Sequence, residues 1–85
     1  MPRKHVGLKW KLRKDAMTPN EREWHLVLGN SRNSIAVVWG NGTWHTFDHH
    51  GNGGENDACT TLDGKPDVKK ACVEATMSAI RQGFI

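Results

Sequence analysis

Four stretches of this chain read as strands, three of them alternating apolar and polar residues with period two, and each is cut short by glycine, asparagine or proline. Leu8, Trp10 and Leu12 fall on one side of the first, with Lys9, Lys11 and Arg13 on the other. Trp24, Leu26 and Leu28 oppose His25 and Val27 in the second. The third, Ser34 to Trp39, is the most apolar, with Ile35, Val37 and Trp39 opposing Ala36 and Val38, and suits a central strand covered at least in part on both faces; the fourth runs from Thr43 to Asp48. Period two is the signature of a strand buried on one face. The breaks are turn chemistry: Gly29-Asn30-Ser31-Arg32-Asn33 and Gly40-Asn41-Gly42 supply the backbone freedom a tight reversal needs. Thr18-Pro19-Asn20-Glu21 reads as a single helical turn with Thr18 as N-cap and Pro19 at its first position.

The period changes after the last glycine-rich stretch. Asp67 to Gln82 reads as a helix, with Pro66 placed at its first position, Asp67 complementing the N-terminal dipole and Gly83 ending it. Val68, Ala71, Cys72, Ala75 and Ala79 make a stripe of small residues suited to close approach on a sheet. Val73, Met77, Ile80 and Phe84 make a bulkier stripe, so the helix is either wedged under the N-terminal arm or turns one stripe to a partner or a second copy of the chain. Lys70, Glu74, Ser78 and Arg81 mark the solvated side. The expected fold is α+β: a three- to four-stranded antiparallel meander with one C-terminal helix packed on one face. Residues 1–6 are expected to be a flexible basic start, and 7–85 a single domain. An 85-residue chain has a small core, so Trp10, Trp24, Trp39 and Trp44 must do much of the burying. Which face of residues 43–48 is buried stays open: Trp44 points opposite to His45 and Phe47.

The net charge of +3 hides an asymmetry. Arg3, Lys4, Lys9, Lys11, Arg13 and Lys14 stand in the first fourteen residues with no acid, leaving a mildly acidic remainder. A basic start with no apolar stretch behind it is not a secretory signal, and no segment reaches the roughly 20 apolar residues of a membrane span. The expected location is the cytoplasm of a bacterial host. Cys59 and Cys72 are then most simply free thiols, with a bridge as the alternative in an oxidising compartment.

Chemistry-bearing residues concentrate between Trp39 and Cys59, WGNGTWHTFDHHGNGGENDAC. His45, Asp48, His49, His50, Asp57 and Cys59 offer donor atoms for a transition metal, but their spacing fits no standard zinc module. No metal or other cofactor is expected. Asp48-His49-His50 followed by Gly53-Gly54, Asn56 and Cys59 has a superficial likeness to HNH endonucleases, in which histidine activates water and a metal holds the phosphate. That pattern lacks the hairpin before its central Asn and the terminal His or Asn on the helix, so no catalytic residue is assigned. Gly51-Asn52-Gly53-Gly54 lacks the lysine of a phosphate-binding loop. The polar side chains of this loop, Asp48 first among them, suit Asx-turns that shape it. Lys9, Lys11 and Arg13, spaced two apart on one strand face, could follow a phosphate backbone, and exposed sheet aromatics can stack bases.

Trp44, Asp48, Gly51, Gly53-Gly54-Glu55-Asn56 and Gln82-Gly83-Phe84-Ile85 together form a pattern. Over about Trp24 to Ile85 the chain resembles short accessory proteins of bacteriophages and prophages. These join tryptophan-bearing strands, a W…D..G.GGEN loop and a C-terminal helix ending in QGF. The class includes host-takeover proteins and anti-CRISPR inhibitors, which occlude host machinery without chemistry. The resemblance implies a small non-enzymatic interaction protein that binds and modulates a host or phage protein. Its expected contact residues are Trp44, Phe47, His49, His50, Glu55, Asn56 and Asp57, with Trp44 or Phe47 as aromatic anchor. The alternative is a nucleic-acid-binding module using Lys9, Lys11 and Arg13. A metal-dependent nuclease is the third reading, and a homodimer through the C-terminal helix is compatible with the first two.

Overall fold

The computed structural model describes residues 7–29 and 33–85. The expected flexible start at 1–6 and the middle of the 29–33 turn lie outside them. Five strands, β1 (Leu8–Lys14), β2 (Glu23–Leu28), β3 (Ala36–Trp39), β4 (Thr43–Phe47) and β5 (Gly53–Ala58), form one antiparallel sheet in sequence order. Helix α1 (Val68–Arg81) follows, and a single 3-10 turn (Pro19–Glu21) joins β1 to β2. The class is the expected α+β, with five strands rather than three or four. The extra strand is GGENDA, which has no apolar alternation and consists of residues depleted in strands. Pairing with β4, not propensity, makes it extended.

Alternation assigns the faces. Trp10, Leu26, Ala36 and Thr46 lie in one cross-strand row, and Leu12, Trp24, Val38, Trp44 and Asp57 in the next. These rows face α1, which packs mainly over β3 and β4 and also touches β5, with Leu26 of β2 buried in the same cluster. Leu26, Ala36, Val38, Trp44, Cys59, Ala71 and Ala75 form the buried cluster, with Leu8, Trp10 and Ile35 against its margin. Ala71, Ala75 and Ala79 are fully buried, so the small-residue stripe does bring the helix onto the sheet.

Trp44 is therefore core. Its indole N–H is buried without a hydrogen-bond partner among the described residues, which costs about 1–3 kcal/mol and is outweighed by the ring's burial. Ser78, expected on the solvated side, is buried as well. The helix begins one residue later than its sequence pattern, because Asp67 is the N-cap: its Oδ1 accepts from the Lys70 N–H at 3.0 Å. Pro66 precedes the helix and forms a lone bridge with Thr60. No helix among the described residues is long and apolar enough to cross a membrane.

Candidate functional site

The residues expected to form one contact surface separate onto the two sides of the sheet. A bulge in β5 decides this. His45 pairs with Asn56 and Phe47 with Gly53, so β5 spends one more residue than β4 over the same span. The extra residue turns Gly54 and Glu55 together toward the helix. Thr46, fully buried, locks the bulge: its hydroxyl accepts from the Glu55 N–H at 3.0 Å and from Gln82 Nε2 at 2.8 Å. The Glu55 carboxylate accepts from the Ser78 hydroxyl and the Arg81 guanidinium. The Ser78 bond, and after it Arg81, hold the Glu55 carboxyl below its ordinary range.

A side chain at Gly54 has no room. Its Cβ would come within 2.6 Å of Thr46 Oγ1, 2.7 Å of Gln82 Oε1 and 2.8 Å of the Phe84 ring. The GGEN and QGF segments are thus two halves of one clasp that ties the edge strand to the end of the helix. Trp44, Glu55, Asp57, Glu74, Met77 and Arg81 line a groove of about 410 Å³ alongside it. Of the expected contact residues, Trp44 is buried there and Glu55 is spent on the clasp.

Phe47, His49 and His50 stand on the opposite side. That face carries Lys9 and Lys11 from β1, ahead of a bulge at Arg13, His25 and Val27 from β2, Val37 and Trp39 from β3, and His45 and Phe47 from β4. One row across it reads Lys11, His25, Val37, His45, Asn56. Val37, buried, is framed by rings: His25 and His45 beside it in the row, Trp39 two residues along β3, and Phe47 diagonally on β4. His45 stacks on Phe47 with ring centroids 4.7 Å apart. It can lie there because Gly53 has no Cβ, which would fall 2.7 Å from His45 Nε2. His25 is clamped, with Nδ1 2.6 Å from the Ser34 hydroxyl and Nε2 3.1 Å from Glu23.

Beside this frame lies a hollow of about 360 Å³, lined by His25, Ser34, Val37, Phe47, His49 and His50 among others. Asp48 sets its rim. One carboxylate oxygen accepts from the backbone N–H of His50 at 2.8 Å and of Asn52 at 2.9 Å. This is the Asx geometry the loop's composition called for. The Asn52 bond is the main reason the Asp48 carboxyl is held below its ordinary value. His49 and His50 lie ring to ring at 4.2 Å. Among the described residues, no three His, Cys, Asp or Glu side chains are grouped to hold a metal ion.

The electrostatics of the two sides differ. Glu55 and Asp57 face the helix side, where Glu74 also lies. The acids of the ring-bearing face are engaged locally, Glu23 with His25 and Asp48 with its own loop. Lys9 and Arg13 are exposed. The sequence marked Lys9, Lys11, Arg13, Phe47, His49 and His50 and set His25 on the same face as the cations, but did not show the frame that it makes with Trp39 and His45 around Val37. The strand register supplies that frame; the alternation had already put Val37 and Trp39 on one side. No protein-family model matches this sequence, and no curated protein or solved structure gives a significant match to it.

Proposed function

We propose that this chain is a small non-enzymatic binding module that works through the sheet face turned away from α1, and that its ligand is nucleic acid. The observation that carries the reading is the pairing, on the face turned away from α1, of Lys9 and Lys11 with a group of rings, while Glu55, Asp57 and Glu74 lie on the other side. Cations without neighbouring free acids attract phosphate by releasing its counterions. Rings on a sheet offer surfaces on which bases stack. Sequence alone weighs a protein partner more heavily because the body of the chain is acidic. The segregation of those acids removes that objection.

The test is a salt titration of oligonucleotide binding by the intact protein. Binding should weaken steeply with salt, and replacing Lys9, Lys11 and Arg13 together with alanine should lower the slope of log K against log salt by about 2–3. Binding that is absent at low salt would reject the reading.

A second reading keeps a protein partner, in line with the resemblance to phage accessory proteins that act by occlusion. One observation favours it: Val73, Met77 and Ile80 stand about half exposed along the outer side of α1. Such a stripe suits a helix-mediated contact with a host or phage protein or with a second copy of the chain. A light-scattering mass of a dimer that reverts to a monomer in Met77→Glu would support the second-copy form.

A further inference from the structure

We propose that the ligand is single-stranded, with its phosphates along β1 and an unstacked base seated in the hollow over Val37. This rests on the nucleic-acid reading above and narrows it.

The first argument is dimensional. In-register strands lie about 4.8 Å apart, so the five-stranded face is roughly 19 Å across. The duplex major groove is about 12 Å wide and takes an α-helix or a two-stranded ribbon. The β1 cations and the rings on β3 and β4 cannot all enter it together. A duplex also keeps its base faces stacked internally and shows only base edges. Rings on a sheet gain stacking energy only from bases that have left a stack.

The second argument is the arrangement. Before the bulge at Arg13, Lys9 and Lys11 step along β1 by about 6.8 Å per two residues. That is about twice the 3.4 Å rise per nucleotide of one duplex strand, a spacing suited to an extended single strand. Lys11 lies directly across from His25, so the cation row runs beside the ring frame. A strand laid on β1 would turn its bases inward over His25, Val37 and His45.

The third argument is the hollow. Its floor is Val37, and Phe47 stacked with His45 makes one wall. His25, fixed by Ser34 and Glu23, makes the other. An apolar floor with ring walls holds a base by its faces, while Ser34, His49 and His50 offer hydrogen-bonding groups for its edges. Much of this is held before binding, by the His25 clamp, the His45–Phe47 stack and the Asp48 turn, and preorganisation of that kind raises affinity.

The experiment is fluorescence anisotropy of the full chain with a labelled mixed-sequence DNA of about 12 nucleotides, read single-stranded and then annealed to its complement at the same low salt. The single strand should bind at least about tenfold tighter than the duplex. Phe47→Leu, which keeps the apolar bulk and loses the ring, should weaken the single strand by about fivefold or more, and Phe47→Trp should restore it. Circular dichroism checks that both variants are folded. Equal or tighter binding of the duplex overturns the single-strand assignment and leaves the nucleic-acid reading standing. A folded Phe47→Leu that binds like the parent overturns the stacking site. Failure of both oligonucleotides to bind rejects the nucleic-acid reading itself, and this inference with it.

Discussion

Neighbouring residues with similar side chains take opposite roles here because of one pleat. Trp44 and Phe47 are three positions apart, on one strand, and on opposite faces. Trp44→Ala should cost about 3–5 kcal/mol in urea unfolding, as loss of a buried large ring does. Phe47→Ala should leave most of the stability and remove binding. Gly54 belongs to the first class although it has no side chain. Gly54→Ala must displace Thr46, Gln82 or Phe84 and should lower stability by about 1–3 kcal/mol. Glu55 ties the same clasp electrostatically. Its carboxyl is held below the unfolded value of 4.5, as that of Asp48 is held below 3.8. A depressed folded value stabilises above the unfolded one and is lost as pH falls through the folded one. Unfolding midpoints should therefore drop below about pH 4.5, and Glu55→Gln should flatten that limb. A parent and variant with superimposable acid profiles would contradict the clasp. Cys59 and Cys72 shift the other way: burial raises both thiols, Cys72 to about 11. Thiol reagents at pH 8 should label both slowly in the folded protein and rapidly in denaturant.

Elements differ in how far their own residues specify them. Strands β1, β2 and β4 are legible from period two, and β3 from a run that is apolar on both faces. The helix was legible from Asp67, the alanine stripe and Gly83. Strand β5 was hidden because an edge strand bonded to one neighbour needs no apolar alternation. Its residues instead serve the bulge and the clasp, and as a sequence they resemble a loop. The same blindness covered Ser78. Helical spacing placed it among polar neighbours, and only the carboxylate reaching across from Glu55 explains a buried hydroxyl there. The outer stripe of α1 is legible in both directions: bulky residues at helical spacing and, among the described residues, no element laid over them. Met77→Glu should leave stability within about 0.5 kcal/mol, since the site is more than half exposed. A large loss on urea unfolding would mean that the stripe is covered in solution.

At the scale of the whole molecule, a single helix packs on one face of a five-stranded sheet, and Val27 and Val37 are buried on the other. Composition alone could not show this, since the basic and acidic residues of the chain nearly balance. What matters is that the meander sorts them, with Lys9, Lys11 and the rings on one side and Glu55, Asp57 and Glu74 on the other. That sorting depends on register and on the β5 bulge, so it emerges only once the strands are paired. The central claim is that binding belongs to the ring-bearing face. Its most direct test is a backbone amide chemical-shift titration of isotope-labelled protein with a short single-stranded oligonucleotide. Shifts concentrated on Lys9, Lys11, His25, Val37, Trp39, His45 and Phe47, with α1 unmoved, are the predicted result. Shifts confined to Val73, Met77 and Ile80, or to the groove beside Glu55 and Asp57, would contradict it.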